Sequence, residues 1–309
     1  MSTAFLTHPD CIAHEMGSGH PESPQRLRAI LAALQSSGLA SKVSLLEAPE
    51  ATSEQLARVH SPQHIDNVFR SAPASGYAYL DPDTSMNSNS LSASLRAAGA
   101  LVRATDLVIE GKAGNAFCAV RPPGHHATPD RPMGFCIFNN VAIGAAHAME
   151  AHGLERVAIL DFDVHHGNGT EDAFHEDVRV LFCSTFQHPY YPYSGADSSN
   201  AHIINTPLAA MTDGEGFRRA VERDWLPVLE SFKPQMLFVS AGFDAHREDP
   251  LAYLELDDDD YRWVTERLVD VAERHAGGRL VSTLEGGYNV QALARCVVEH
   301  VGVMAAAAR

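Results

Sequence analysis

Asp161, Asp163 and His165 follow one another at intervals of two in Asp161-Phe-Asp163-Val-His165. In an extended chain, residues at that interval project to the same side. Two carboxylates and an imidazole would therefore crowd one strand end. Burying such groups without partners is costly. Hydrogen bonds and a capped turn would relieve part of that cost, and a bound cation would relieve it directly. Asp244, in Gly242-Phe-Asp244, ends a different apolar run. Asp163, His165 and Asp244 together offer two oxygens and one nitrogen. Three protein ligands with an open fourth position describe a catalytic zinc site, whereas a structural site is closed by four.

Further residues suited to proton chemistry sit in short motifs. His125-His126 follow Arg121-Pro-Pro-Gly, a stiff turn that fixes the direction of both rings. The chain has 17 histidines, so pairs also arise by chance and on a surface loop would be merely solvated. In the second pair, His165 is expected to face the metal and His166 to pack elsewhere. Tyr288 follows Glu285-Gly-Gly, where two glycines allow close backbone approach and aim the phenol by its turn. The plain alternative is a core tyrosine with its hydroxyl satisfied.

These residues need elements to hold them. Apolar runs at 116–120, 157–162, 178–183, 236–240 and 280–284 have strand length and turn-forming boundaries. Amphipathic stretches of helical length lie at 24–36, 91–110, 141–151, 214–232, 257–275 and 290–308. Alternating helices and continuously apolar strands predict a parallel sheet covered on both faces. The polar motifs follow the strands at 116–120, 157–162, 236–240 and 280–284, and open α/β sheets bind ligands beyond the carboxyl ends of their strands. No repeat, low-complexity tract or linker divides the chain, and 309 residues suit one large α/β domain over 1–309.

The formal charge of −16 disfavours a broad nucleic-acid-binding face, which needs a basic stripe. It suits a cationic substrate, although solubility alone accounts for it equally well. Five scattered cysteines without a C-x-x-C pair argue for a reducing, intracellular setting. The N-terminus lacks a signal-peptide pattern and no apolar run reaches spanning length, so the expected location is cytoplasmic, without a membrane partner.

Six segments taken together resemble the histone deacetylase and acetoin-utilisation superfamily. They are His20-Pro-Glu-Ser-Pro-Gln-Arg26, Arg121-Pro-Pro-Gly-His-His126, Gly134-Phe-Cys-Ile-Phe-Asn-Asn140, Asp161-Phe-Asp-Val-His-His-Gly-Asn-Gly169, Gly242-Phe-Asp244 and Leu284-Glu-Gly-Gly-Tyr288. They occur in the family's order, cover almost the whole chain, and look like the class II branch and its bacterial relatives. The resemblance implies a three-layer α/β/α arginase/deacetylase-like fold with a mostly parallel central sheet. It also implies one zinc ion and hydrolysis of an acyl-lysine amide, in a protein, a peptide or a small acylated amine.

Carried over residue by residue, the resemblance makes Asp163, His165 and Asp244 the zinc ligands. His125 would be oriented by Asp161, and His126 by Asn168, where other branches carry an aspartate. Asp161 should favour a charged His125, while neutral Asn168 leaves His126 better placed as general base and then acid. Tyr288 would donate to the developing oxyanion. Phe135 and Tyr191 would wall a slot for the lysine methylenes, with Gly134 completing the lining. Tyr191 stands where phenylalanine is usual and adds a hydroxyl. Leu251 and His20 would lie on the rim with Met16, and Asp81 and Asp83 would form a turn within reach of a substrate backbone. Backbone carbonyls around Asp161, Asp163, His165, Ser184 and Thr185 match a family site for potassium.

Leu251 offers nothing to a second ammonium group, which favours acyl-lysine over an acetylpolyamine. An acetylpolyamine deacetylase is the first alternative. An arginase-like site with two manganese ions would need bridging carboxylates that are missing. A non-catalytic acyl-lysine binder would be expected to lose Tyr288 or a histidine, and all are present. Self-association as a homo-oligomer is left open.

Overall fold

The apolar runs become strands whose residues are all buried. Because successive side chains alternate between faces, burial of every residue requires cover on both. A computed structural model describes residues 1–308; residue 309 of the expected domain lies outside the described residues. Among the described residues the strands are β1 (Thr3–Thr7), β2 (Val43–Glu47), β3 (Ala78–Asp81), β4 (Thr84–Met86), β5 (Asn115–Cys118), β6 (Val157–Asp161), β7 (Val180–Gln187), β8 (Ile203–Leu208), β9 (Met236–Ala241) and β10 (Leu280–Leu284). Eight of them form one sheet in the order β2-β1-β5-β10-β9-β6-β7-β8, and every neighbouring pair is parallel. β3 and β4 make a separate antiparallel hairpin.

Helices cover both faces. Ser90–Ile109 and Asn140–His152 pack together over β1, β5, β10, β6 and β9. On the other face, Val290–Ala307 packs with Pro24–Ser36 and Asp258–His275, and its His300 ring meets Phe117 of β5. The architecture is the expected three-layer α/β/α fold. Helix Asp258–His275 shows why these boundaries are legible. Asp260 Oδ2 accepts from the Asp257 amide at 2.8 Å, three aspartates occupy the first turn, and Arg274 and His275 the last.

The sequence reading misses β1, β2, β8 and the hairpin. β2 and β8 are the sheet edges, only partly buried, and Pro207 interrupts β8 where an edge tolerates it. The expected helix at 214–232 forms, with a π-helical turn at Val221–Trp225. Against the expectation of no apolar run of spanning length, Val290–Ala307 is 18 residues of mean hydropathy 1.3. Its Leu293, Cys296, Val297, Val301 and Met304 belong to the core, which accounts for that composition.

Parallel strands put all their carboxyl ends along one edge. The loops at 119–126, 162–168, 242–251 and 285–289 leave β5, β6, β9 and β10, which are neighbours in the sheet. The convergence expected of the four motifs therefore follows from strand order.

Candidate active site

At the end of β6 the backbone is folded by its own aspartates. Asp161 Oδ1 accepts from the Asp163 amide at 3.1 Å, and Asp163 Oδ1 from the His165 amide at 2.9 Å. Asp163 Oδ2 accepts from the Gly286 amide at 2.8 Å and Asp244 Oδ1 from the Val164 amide at 3.0 Å, locking three loops together. The same folding brings the side chains of Asp163, His165 and Asp244 face to face. His165 Nδ1 is 3.0 Å from Asp163 Oδ1 and 3.2 Å from Asp244 Oδ2. Tetrahedral zinc with bonds of roughly 2.0–2.2 Å spaces its ligands by about 3.3–3.6 Å, close to these separations. Asp244 Oδ2 is buried and has no hydrogen-bond donor among the described residues. Burial and the charge of Asp163 both push the Asp244 carboxyl up. Burial alone would depress His165, but the adjacent Asp163 and Asp244 carboxylates carry it up to about 10. The site thus favours positive charge among these three side chains, and the donor set fits zinc. Gly286 makes the approach possible, because a Cβ there would lie 2.0 Å from Asp244 Oδ2.

The tandem histidines occupy the adjoining loop, whose Gly124 and His125 amides donate to Glu285 Oε2 at 2.7 and 3.1 Å. His125 Nδ1 lies 2.9 Å from Asp161 Oδ2, and His126 Nδ1 lies 2.8 Å from Asn168 Oδ1. The two rings are 4.0 Å apart yet have opposite electrostatics. Burial opposes charge on His125, but Asp161 and Asp163 outweigh it and hold its pKa well above the usual histidine value. Burial, then the charges of His125 and His165, hold His126 well below it. With Nδ1–H donated to Asn168 Oδ1, Nε2 of His126 is the basic nitrogen.

A slot of about 300 Å³ is lined by Gly134, Phe135, His126, His165, Tyr190, Tyr191, Leu251, Tyr288, Asp83 and Tyr193. Phe135 is held by the hairpin: Asp83 Oδ1 accepts from the Gly134 amide at 3.1 Å, and Thr84 Oγ1 from the Phe135 amide at 3.0 Å. The Tyr191 ring stands edge-on to His126 at 5.2 Å, and Tyr190 stacks on His165 and donates its hydroxyl to Leu251 O at 2.7 Å. Tyr288 meets Phe135 edge-on at 5.9 Å. His20, expected on the rim, packs edge-on to Phe135 at 4.7 Å without lining the slot. Met16, expected on the rim, is buried instead, and its carbonyl accepts from Ser85. Asp81 does serve the turn, accepting from the Asp83 amide at 3.2 Å.

A histone deacetylase domain model matches residues 20–304. The chain belongs to the histone deacetylase family. A histone deacetylase-like amidohydrolase of Pseudomonas aeruginosa is 40% identical over 99% of this chain and 88% of the relative. A probable deacetylase of Archaeoglobus fulgidus is 37% identical, covering 94% and 82%. Among solved structures, the HDA15 HD domain superposes with a TM-score of 0.93 at 35% identity, covering 99% of this chain and 88% of that one. This deacetylase-family chain is accordingly a hydrolase of the amidohydrolase kind.

Several residues that build this deacetylase site escaped the sequence reading. Glu22 and Arg121 form a fully buried ion pair in which Arg121 Nη2 donates to Glu22 Oε2 at 2.5 Å. Arg26 donates to Glu285 O at 2.5 Å and Gly287 O at 2.6 Å, with its guanidinium 5.0 Å from the centre of the Tyr288 ring. Burial pushes Glu285 up to about 7, with His125 opposing. His166 packs elsewhere, as expected, between Glu171 at 2.7 Å and Ser194 at 2.9 Å. Glu22, Arg26, Arg121 and Glu285 all lie inside the recognised motifs. Charges beside prolines and glycines were the available signal, but burial was invisible.

Proposed function

We propose that the protein hydrolyses the amide of an acylated lysine, in a peptide, a protein or a small acylated amine, with one zinc ion held by Asp163, His165 and Asp244. The observation that carries this reading is the orphaned, buried Asp244 Oδ2 beside His165 Nδ1, at the foot of a slot that also exposes His126 and Tyr288. When bound, zinc supplies Lewis acidity, polarising a carbonyl and making water nucleophilic near neutral pH.

The chain's own residues do the rest. Phe135 and Tyr191 flank the methylenes, Leu251 borders the entrance, and His20 supports the Phe135 ring. His126, uncharged through burial and its cationic neighbours, takes the proton of the attacking water at Nε2 and returns it to the leaving amine. Asn168 holds that ring, and His125, kept charged by Asp161, gives electrostatic support. Tyr288, whose hydroxyl burial keeps protonated, donates to the oxyanion. Uncharged Leu251 at the rim favours acyl-lysine over an acetylpolyamine. Ser184 Oγ, buried without a partner and in register with Asp161, supports a structural potassium site nearby. Five buried, unpaired thiols agree with a cytoplasmic setting.

The test is a panel of acyl-lysine peptides and N-acetylputrescine, assayed with and without a zinc chelator. We expect chelation to abolish activity and Tyr288→Phe to cost about 10²–10³ in kcat at full metal content. Activity indifferent to both would overturn the reading.

A further inference from the structure

The turn carrying Tyr288 is held from three directions. Its carbonyls are met by Arg26, as described, and by the Phe243 amide, which donates to Gly286 O at 3.1 Å. The Gly286 amide is taken by Asp163. The Tyr288 and Asn289 amides are taken by one side chain. Asp249 Oδ2 accepts from Tyr288 at 2.6 Å and from Asn289 at 3.0 Å, while Asp249 Oδ1 accepts from the Leu251 amide at 3.0 Å.

Asp249 is 7% exposed and belongs to the loop after β9, which also carries Asp244 and Leu251. One carboxylate therefore ties together the loop of a metal ligand, the slot rim and the backbone of the phenol. Three N–H donors spread over two oxygens need an acceptor at both positions. A carboxylate provides that, whereas an amide presents one oxygen and one NH₂ and turns a donor toward a donor. Asp249 touches neither the slot nor the ligand atoms, so its effect passes through the residues it holds.

We propose that Asp249 is the positioning residue for Tyr288, setting where its hydroxyl stands in the slot. The inference rests on the catalytic reading of Tyr288. Displacing a catalytic group by about 1 Å can cost on the order of 100-fold in rate. The experiment is a cycle of Asp249→Asn and Tyr288→Phe, singly and together, reading kcat, KM, metal content and thermal unfolding. Asp249→Asn alone should lower kcat about 10- to 100-fold, with KM and metal content little changed. In the Tyr288→Phe background the same substitution should cost no more than about threefold, because the group it positions is gone. Equal losses in both backgrounds, or none in the wild type, would overturn the proposal. Wild-type activity in Tyr288→Phe alone would instead refute the catalytic reading, whatever Asp249 does. Asp249→Ser, smaller and still an acceptor, runs the same cycle if the Asn variant does not fold.

Discussion

Gly134→Ala should inactivate the enzyme through His126 alone. A Cβ at Gly134 would lie 2.4 Å from His126 Cδ2, 2.8 Å from Cγ and 3.0 Å from Cβ. Ordinary contact begins near 3.4 Å, so the closest approach is about 1 Å too short. The ring has little room to retreat. Asn168 holds Nδ1 at 2.8 Å, His125 lies 4.0 Å away and Tyr191 closes the slot side at 5.2 Å. The backbone adds strain, because Gly134 has φ 58°, a left-handed conformation that costs a residue with a Cβ roughly 1–2 kcal/mol. Overpacking adds about 1–3 kcal/mol. If the ring moves by the missing ångström, kcat/KM should fall about 100-fold, equivalent to about 2.7 kcal/mol. The assay is deacetylation of an acetyl-lysine peptide, with metal content and urea unfolding measured on the same sample. Full metal content, a stability loss of roughly 2–5 kcal/mol and the hundredfold drop would agree. Wild-type kcat/KM would refute the argument that His126 is held rigidly against Gly134, and a rate loss that tracks metal loss would move the damage to the ligands.

Gly286→Ala should fail differently. Its Cβ would fall 2.0 Å from Asp244 Oδ2 and 2.6 Å from Asp163 Oδ2, so metal content after dialysis should drop at least about tenfold, in line with disturbed ligand support; undiminished metal binding would contradict the site. His300 predicts a pH effect on stability. It is buried between Thr265 Oγ1 at 2.6 Å and Ser282 Oγ at 2.8 Å, and burial holds its pKa down at about 3. A depressed histidine contributes stability above the unfolded value of 6.5 that is lost as pH falls, because the unfolded chain takes the proton first. Between pH 6.5 and 5 that loss is about 2 kcal/mol. His300→Gln should therefore be less stable at pH 7, with its deficit shrinking by about that amount at pH 5 in urea titrations. A constant gap would show that His300 titrates normally.

Residue type and spacing were enough to single out Asp163, His165 and Asp244 as a candidate metal-binding group and to call for the frame that carries them. Spacing at intervals of two put Asp161, Asp163 and His165 on one strand end, and continuous apolar runs called for a parallel sheet. The order of the motifs placed Asp244 and Tyr288 after two further strands. Those are local properties, written in residue type and period. Edge elements were harder, since β2 is half exposed and β8 contains Pro207. Which groups share a buried space depends instead on how the strands pair. Asp244 meets His165 because β9 pairs with β6, and Asp249 reaches the Tyr288 amide because β10 pairs with β9. Asp161 set against Asn168 predicts opposite charge preferences for His125 and His126. The structure adds burial and the repulsion of His165 and His125, which dominate at His126. A charge state sums over burial and every neighbour in three dimensions, and that sum includes residues distant along the chain, such as Asp161 at His125 and His165 at His126.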